Sequence, residues 1–252
     1  MSEDASISFA IVLGYLLGSI PFGLLLPRIA GFGDIRAIGS GNIGATNVLR
    51  TGSKKLALAV LLLDGGKGAL AVAIAATQGG HELYFAAGIS AVFGHLFPIW
   101  LRRDRRALIT LALLAFGLST ALAQSSIPPI IGVVLLLALA VTAWGGKGVA
   151  TTLGVLLAAL PLVGALTALT WLAAALVTKR SSAGALIALV AAPLYCLALP
   201  LMINPTLQPF DYERAAFALF LSLVVTLRHH DNIRRLMRGE EPRIKLSGGA
   251  RP

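Results

Sequence analysis

Residues 7–27 read ISFAIVLGYLLGSIPFGLLLP, twenty-one positions without a charge. At about 1.5 Å per residue, a helix of that length reaches across the roughly 30 Å hydrocarbon core of a bilayer. The residues before it, Met1 to Ser6, are short and acidic. They lack the basic start and small-residue cleavage site of a signal peptide, so the run is expected to remain as an uncleaved first span. Similar apolar runs follow at about 56–76, 83–97, 107–123, 130–144, 149–178, 183–202 and 215–227. They are continuous, whereas a membrane barrel alternates in segments of about ten residues.

Composition agrees with that pattern. Across 252 residues, 57% are apolar and 13% charged, against about 25% charged in ordinary soluble domains. Mean hydropathy is +0.84. These values exclude a water-soluble enzyme, a disordered chain and a fibrous repeat. The fold class expected is all-α: one polytopic integral membrane helical bundle spanning 1–252, with a basic tail from 228 to 252.

The run at 149–178 is too long for one untilted span and short for two, so Pro161 is expected to mark a turn between two short helices. Charge then orients the bundle. Of the 21 Lys and Arg, 19 fall in the segments 28–55, 102–106, 145–148, 179–180 and the tail. The positive-inside rule makes those segments cytoplasmic. That arrangement requires about nine crossings, an outside N-terminus and a cytoplasmic C-terminus. Lys67 sits within a span, and Arg214 falls outside.

The net charge of +10 would suggest nucleic acid in a soluble protein. Here the cations lie beside glycine-rich loops at a membrane face, which suits phosphate-bearing ligands and no nucleic acid. Gly39-Ser40-Gly41-Asn42-Ile43-Gly44-Ala45-Thr46-Asn47 offers closely approachable backbone N–H groups, and Arg50 adds a planar cation. The alternative is a solvated loop of Asx-turns. Gly145-Gly146-Lys147-Gly148 precedes Thr151 and Thr152, so a lysine and a helix start stand together. It is not a nucleotide-hydrolysing Walker loop, because Gly148 follows Lys147 where Ser or Thr is needed. His229 and Asn232 stand three apart and suit a polar headgroup. The neighbouring Arg228, Arg234, Arg235 and Arg238 favour the other reading, a juxtamembrane helix on anionic lipid.

Asp64-Gly65-Gly66-Lys67-Gly68 places two charges inside a span, which marks a bundle interior or a site. His81 and His95 read as structural, with His95 able to orient a loop. Cys196 reads as a small apolar residue. No metal-ligand spacing occurs, so no metal or cofactor is expected. There is no Gly-x-Ser-x-Gly elbow. The thioester-dependent His-x4-Asp pair is also absent: five residues after each histidine stand Ala86, Trp100, Arg234 and Arg235.

Taken in order, these motifs closely resemble the bacterial acyl-phosphate:glycerol-3-phosphate acyltransferase (PlsY) family. The elements are Gly18-Ser19-Ile20-Pro21-Phe22-Gly23, Asp34-Ile35-Arg36, GSGNIGATNVLR (39–50) and Asp64-Gly65-Gly66-Lys67-Gly68. Gly94-His95-Leu96-Phe97-Pro98, GGKGVATTLG (145–154) and Arg228-His229 with Asn232-Ile233-Arg234-Arg235-Leu236 complete them. The resemblance implies transfer of a fatty acyl group from acyl phosphate to the sn-1 hydroxyl of glycerol 3-phosphate. The products are lysophosphatidic acid and phosphate, formed at the cytoplasmic face of the bacterial inner membrane as phospholipid synthesis begins. It implies Ser40, Arg50, Lys147, Ser182, His229 and Asn232 as the glycerol 3-phosphate site, with Ser181 a near competitor of Ser182. The resemblance further implies that Lys147, His229, Asn232 and Arg50 carry the reaction. Gly39, Gly41, Asn42, Gly44, Thr46 and Asn47 hold the acyl phosphate.

One feature departs from the family. Its Gly-His-x-Phe-Pro and Gly-Gly-Lys-Gly elements lie a few residues apart, whereas here 102–144 intervenes. That segment reads as a basic knot plus an added transmembrane hairpin, making nine crossings from seven. Two other readings are weighed. A transporter of an anionic phosphometabolite would use helices broken at Asp64 and Lys67. A catalytically dead scaffold would follow if the insert displaced Lys147.

Overall fold

The computed structural model describes residues 3–101, 109, 129–203 and 212–244. Among these, all regular structure is helical: α1 (Glu3–Ser19), α2 (Phe22–Ile29), α3 (Ala45–Val48), α4 (Lys54–Ala76), α5 (His81–Leu96) and α6 (Pro129–Val141). Then come α7 (Val149–Ala159), α8 (Pro161–Thr178), α9 (Ser181–Ile203), α10 (Tyr212–Leu227) and α11 (His230–Met237). Four stretches are long and apolar enough to cross a bilayer: Ala5–Ile29, Lys54–Ala76, Pro161–Thr178 and Ser181–Pro200.

The bundle is built around α5. Thirteen of its sixteen residues are buried, because α1, α4, α7 and α10 all pack against it. A helix enclosed on every side needs apolar residues on every side, and the run 83–97 supplies them. Inside lipid there is little hydrophobic drive between helices, so close backbone approach through small residues takes its place. Gly14 and Gly18 face the backbone of Ala87 and Ala91, and Gly94 faces Tyr15; a side chain at any of them would overlap it. Gly65 and Gly68 on α4 accept Gly154 and Thr151 of α7 in the same way.

The apolar run 7–27 is not one helix. Pro21 lacks an N–H and disfavours helical geometry at the residue before it. Thus α1 ends at Ser19 and α2 restarts at Phe22. The carbonyl of Ile20 is left at the break, and the buried Lys67 ammonium donates to it at 2.8 Å. Conversely, α4 runs without interruption through Asp64–Gly68. Its two charges stand one turn apart and pair at 2.8 Å, so the helix has no need to open around them. The broken span that a transporter reading requires at this point is therefore absent. Pro161 divides the long run into α7 and α8, occupying the first turn of α8 where a missing N–H costs nothing.

Of the segment 102–144, residues 102–108 and 110–128, holding the basic knot and the first half of the expected hairpin, lie outside the described residues, as do 204–211 and 245–252. Helix α6 packs against α10, burying Leu136 and Ala140. The chain then returns to where it left α5. Gly145 N–H donates to Leu96 O at 2.7 Å, and Gly146 N–H donates to His95 O at 3.1 Å. Trp144 meets Phe97 edge to face at 4.9 Å.

Candidate active site

The polar loop after α2 is folded, not merely solvated. Asp34 caps a 3-10 turn at 35–37 and receives Arg28 and Arg36 at 3.0 and 2.6 Å. Those two guanidiniums and the Arg36 N–H hold its carboxyl well below the usual range. Ile35, Ile43 and Val48 bury against Leu24, Ala57 and Val60, forming a small second core. Asn47 is the loop's spine. Its amide nitrogen donates to Ile35 O and Ile38 O at 3.0 and 2.9 Å. Its oxygen accepts from Ser40 N at 3.1 Å and Arg50 Nη1 at 3.3 Å. Gly39 takes φ +59° and lies tight against Arg50 and Asn47, so it has room for no side chain.

This loop forms one wall of a cavity of about 280 Å³. Residues far apart in sequence complete it: Lys147 and Gly148, Ser181 and Ser182, His229 and Asn232, Arg235 and Glu241. Gly39, Ser40, Asn42, Gly44, Thr46, Asn47 and Arg50 line it from the loop; Gly41 does not. Two features of the loop bear on the residues expected to hold the acyl phosphate. Asn47 is only 2% exposed and both ends of its amide are occupied within the loop. The backbone N–H groups of Ser40 and Gly41 are likewise taken, by Asn47 Oδ1 and Ile38 O. In contrast, Asn42 Oδ1 is buried with no partner.

Lys147 is carried into the cavity by the return of the chain to α5, and Gly148 at φ +84° then starts α7. The Lys147 ammonium donates to Asn232 Oδ1. Burial, assisted by Arg235 and Arg228, pushes its pKa down to about 8, against the opposing pull of Glu241 and Asp231. His229 is 2% exposed, and its Nδ1 stands 2.7 Å from Val225 O. A carbonyl can only accept, so Nδ1 carries the proton and Nε2 keeps its lone pair. Burial pulls this histidine down to about 4, with the Lys147 charge contributing, so it is neutral near pH 7.

Glu241 is not among the residues that the sequence singles out. Its carboxylate accepts from Ser182 Oγ and Asn232 Nδ2, both at 2.6 Å, and from Arg235 Nε at 2.7 Å. These donors hold it below the usual carboxylate range despite its burial. Ser181 instead receives Thr46 Oγ1 at 3.1 Å, tying α9 to the loop.

Asp64 and His95 also line the cavity, as parts of a charged cluster with Lys67. Lys67 Nζ stands 2.8 Å from Asp64 Oδ1 and 2.9 Å from His95 Nδ1. The opposite side of the His95 ring abuts Gly146, leaving no space there for a side chain. Thus His95 does orient a loop, the one carrying Lys147. Among the described residues no group of three or more His, Cys, Asp or Glu is arranged to hold a metal.

The family model for "Glycerol-3-phosphate acyltransferase" matches residues 8–144 and 106–239. The chain belongs to the glycerol-3-phosphate acyltransferase family. A relative of that name from Paramagnetospirillum magneticum is 47% identical over 231 residues, covering 92% of this chain and 90% of the relative. Another, from Rhodospirillum rubrum, is 43% identical and covers both chains fully. Among solved structures, PlsY (YgiH), an integral membrane glycerol 3-phosphate acyltransferase, matches in its glycerol 3-phosphate form. The TM-score is 0.70 at 29% identity, covering 95% of this chain and 96% of that one. Its lysophosphatidic acid form matches with a TM-score of 0.68. Membership of this acyltransferase family displaces both the transporter and the dead scaffold as readings of the chain.

Proposed function

We propose that the cavity transfers an acyl group from acyl phosphate to the sn-1 hydroxyl of glycerol 3-phosphate. One observation carries this reading. Arg50, Lys147 and His229, from segments about 100 residues apart, line one small cavity together with unpaired polar atoms. Two cations and a neutral imidazole are what an anionic acceptor needs when its hydroxyl must also lose a proton.

In this scheme Ser182, Asn232, Lys147 and Arg50 hold the glycerol 3-phosphate, and Ser40 joins Arg50 at the loop wall. Gly39 to Asn47 faces the acyl phosphate, with Asn42 and Thr46 offering the side chains. The acceptor oxygen attacks the acyl carbon, and the carbon–oxygen bond to phosphate breaks. Inorganic phosphate leaves without an acyl-enzyme. The hydroxyl proton passes to His229 Nε2 or to an oxygen of the departing phosphate. Lys147 and Arg50 stabilise the charge that develops. An acyl phosphate is a mixed anhydride and already activated, so no cofactor is required.

The site is read as cytoplasmic. The basic loops at 28–55, 145–148 and 179–182 and the start of the tail all meet at this cavity. His81 and Glu213 pair at 2.6 Å away from it, where the charge rule puts the outer face. A chain of nine crossings with an outside N-terminus, an inserted hairpin at 102–144 and placement in the inner membrane fits that charge distribution.

The test uses purified protein in detergent with palmitoyl phosphate and glycerol 3-phosphate. Release of inorganic phosphate with formation of lysophosphatidic acid is expected. Product from acyl-coenzyme A but none from acyl phosphate would reject the proposed donor.

A further inference from the structure

Helix α11 ends at Met237, and Gly239 adopts φ +73°. Gly239 N–H donates to Leu236 O at 3.1 Å and Glu240 N–H to Arg235 O at 2.8 Å. This pair of bonds is the Schellman turn, which glycine makes without steric cost. It reverses the chain, so that residue 241 comes back over Asn232 instead of leaving with the tail. The segment is then tied down. Ile244 N–H donates to Lys179 O at 2.7 Å, and Arg180 Nε donates to Glu241 O at 3.1 Å.

The result is a carboxylate, 8% exposed, on the wall of a cavity that also presents Arg50, Lys147 and Arg235; the other acid on its lining, Asp64, is paired with Lys67. A negative charge there opposes a phosphate ligand, so its presence needs a reason. Asn232 supplies one. An amide can flip end for end, since its oxygen and nitrogen have nearly the same shape. Here its NH₂ end meets Glu241, which can only accept, and its oxygen meets the Lys147 ammonium, which can only donate. Neither contact survives a flip. The same carboxylate oxygen also fixes the Ser182 hydroxyl.

We propose that Glu241 is a positioning residue that sets the Asn232 amide and Ser182 hydroxyl, and through Asn232 the Lys147 ammonium, for the acceptor substrate. This rests on the reading of the cavity as a glycerol 3-phosphate site. It also adds residues 239–244 to the functional part of the chain.

The sign of one measurement separates this role from a bystander charge. Titration calorimetry of glycerol 3-phosphate against the full chain and against Glu241→Gln compares the two. Simple electrostatics would tighten binding when the negative charge is removed. Positioning predicts weaker binding, on the order of 10-fold. A second readout follows the pH profile of kcat/KM. Lys147 faces Arg228, Asp231, Arg235 and Glu241 from the tail, and shares the cavity with Arg50, His229, Asp64 and His95. Glu241 favours the cationic lysine, so Glu241→Gln should move the alkaline limb to lower pH. Glu241→Asp keeps the charge on a shorter stem: it should hold the limb in place while binding still weakens. That variant carries the test if the glutamine form does not fold. Equal or tighter binding by both variants overturns the proposal. If the unsubstituted protein binds no glycerol 3-phosphate, the cavity assignment falls first and takes this inference with it.

Discussion

Lys147 and Asn232, 85 positions apart in the chain, are joined by a hydrogen bond from ammonium to amide oxygen. The bond links the loop that returns to α5 with the helix that opens the tail. It brings the Lys147 ammonium to the wall formed by the tail. Substituting Lys147→Ala should lower phosphate release by about 10²- to 10³-fold, the usual loss when one charge-stabilising donor is removed. The phosphate-release assay reads this directly, and an unchanged thermal midpoint shows that the fold survives.

The pH profile follows from the same residue. Lys147 has a lowered pKa of about 8, so it is cationic below that value and loses its charge as pH rises through it. The alkaline limb of kcat/KM, which reports the free enzyme, is expected near pH 8. Bound phosphate favours the cation, so the limb in kcat should lie higher. His229, held near 4, is neutral until the pH falls to about that value. An acid limb near pH 6 therefore belongs to substrate phosphate, whose second ionisation lies at about 6. Persistence of that limb in His229→Asn, measured on residual activity, checks the assignment.

The charged cluster of Asp64, Lys67 and His95 is expected to respond asymmetrically. Lys67→Met leaves Asp64 buried without its cation, and loss of one partner of a buried pair costs about 3–5 kcal/mol. Lys67→Met combined with Asp64→Asn removes both charges and should recover much of that loss. Thermal unfolding in one detergent compares the three proteins.

Gly146 faces the His95 ring with no space for a methyl group. Gly146→Ala should therefore lift the Lys147 loop and raise the KM for glycerol 3-phosphate while α5 stays folded. Gly66, which has open space around it, serves as the control: Gly66→Ala should leave KM unchanged.

Much of this architecture is legible in residue order. Apolar runs locate α4, α8, α9 and α10 within a few residues because lipid and the bundle interior both demand apolar side chains. The glycine loops and their cations are visible for a similar reason: no other residues serve that purpose. Three features are not visible. The break at Ile20 depends on Pro21 and on a lysine 47 positions away that takes the freed carbonyl. Asn47 lines the cavity, yet its amide also holds the loop together through Ile35, Ile38, Ser40 and Arg50, which no local pattern reveals. Glu241 is one of three acids in a basic tail, and it reaches the cavity only because Gly239 reverses the chain. A glycine just after a helical segment is the one signal that could have drawn attention to it.

The bond between Gly145 N–H and Leu96 O closes residues 97–144 into a loop whose two ends touch. The part of that segment that forms α6 belongs to the frame, since Leu136 and Ala140 are buried against α10, but the closing bond itself depends only on the two ends. Replacing residues 102–128 with a flexible glycine–serine linker, which leaves α6 in place, should therefore keep phosphate release within a few-fold of the parent, provided Phe97 and Trp144 keep their contact. Such a junction sets the position of Lys147 by a hydrogen bond between the two ends of the segment, not by the segment's length.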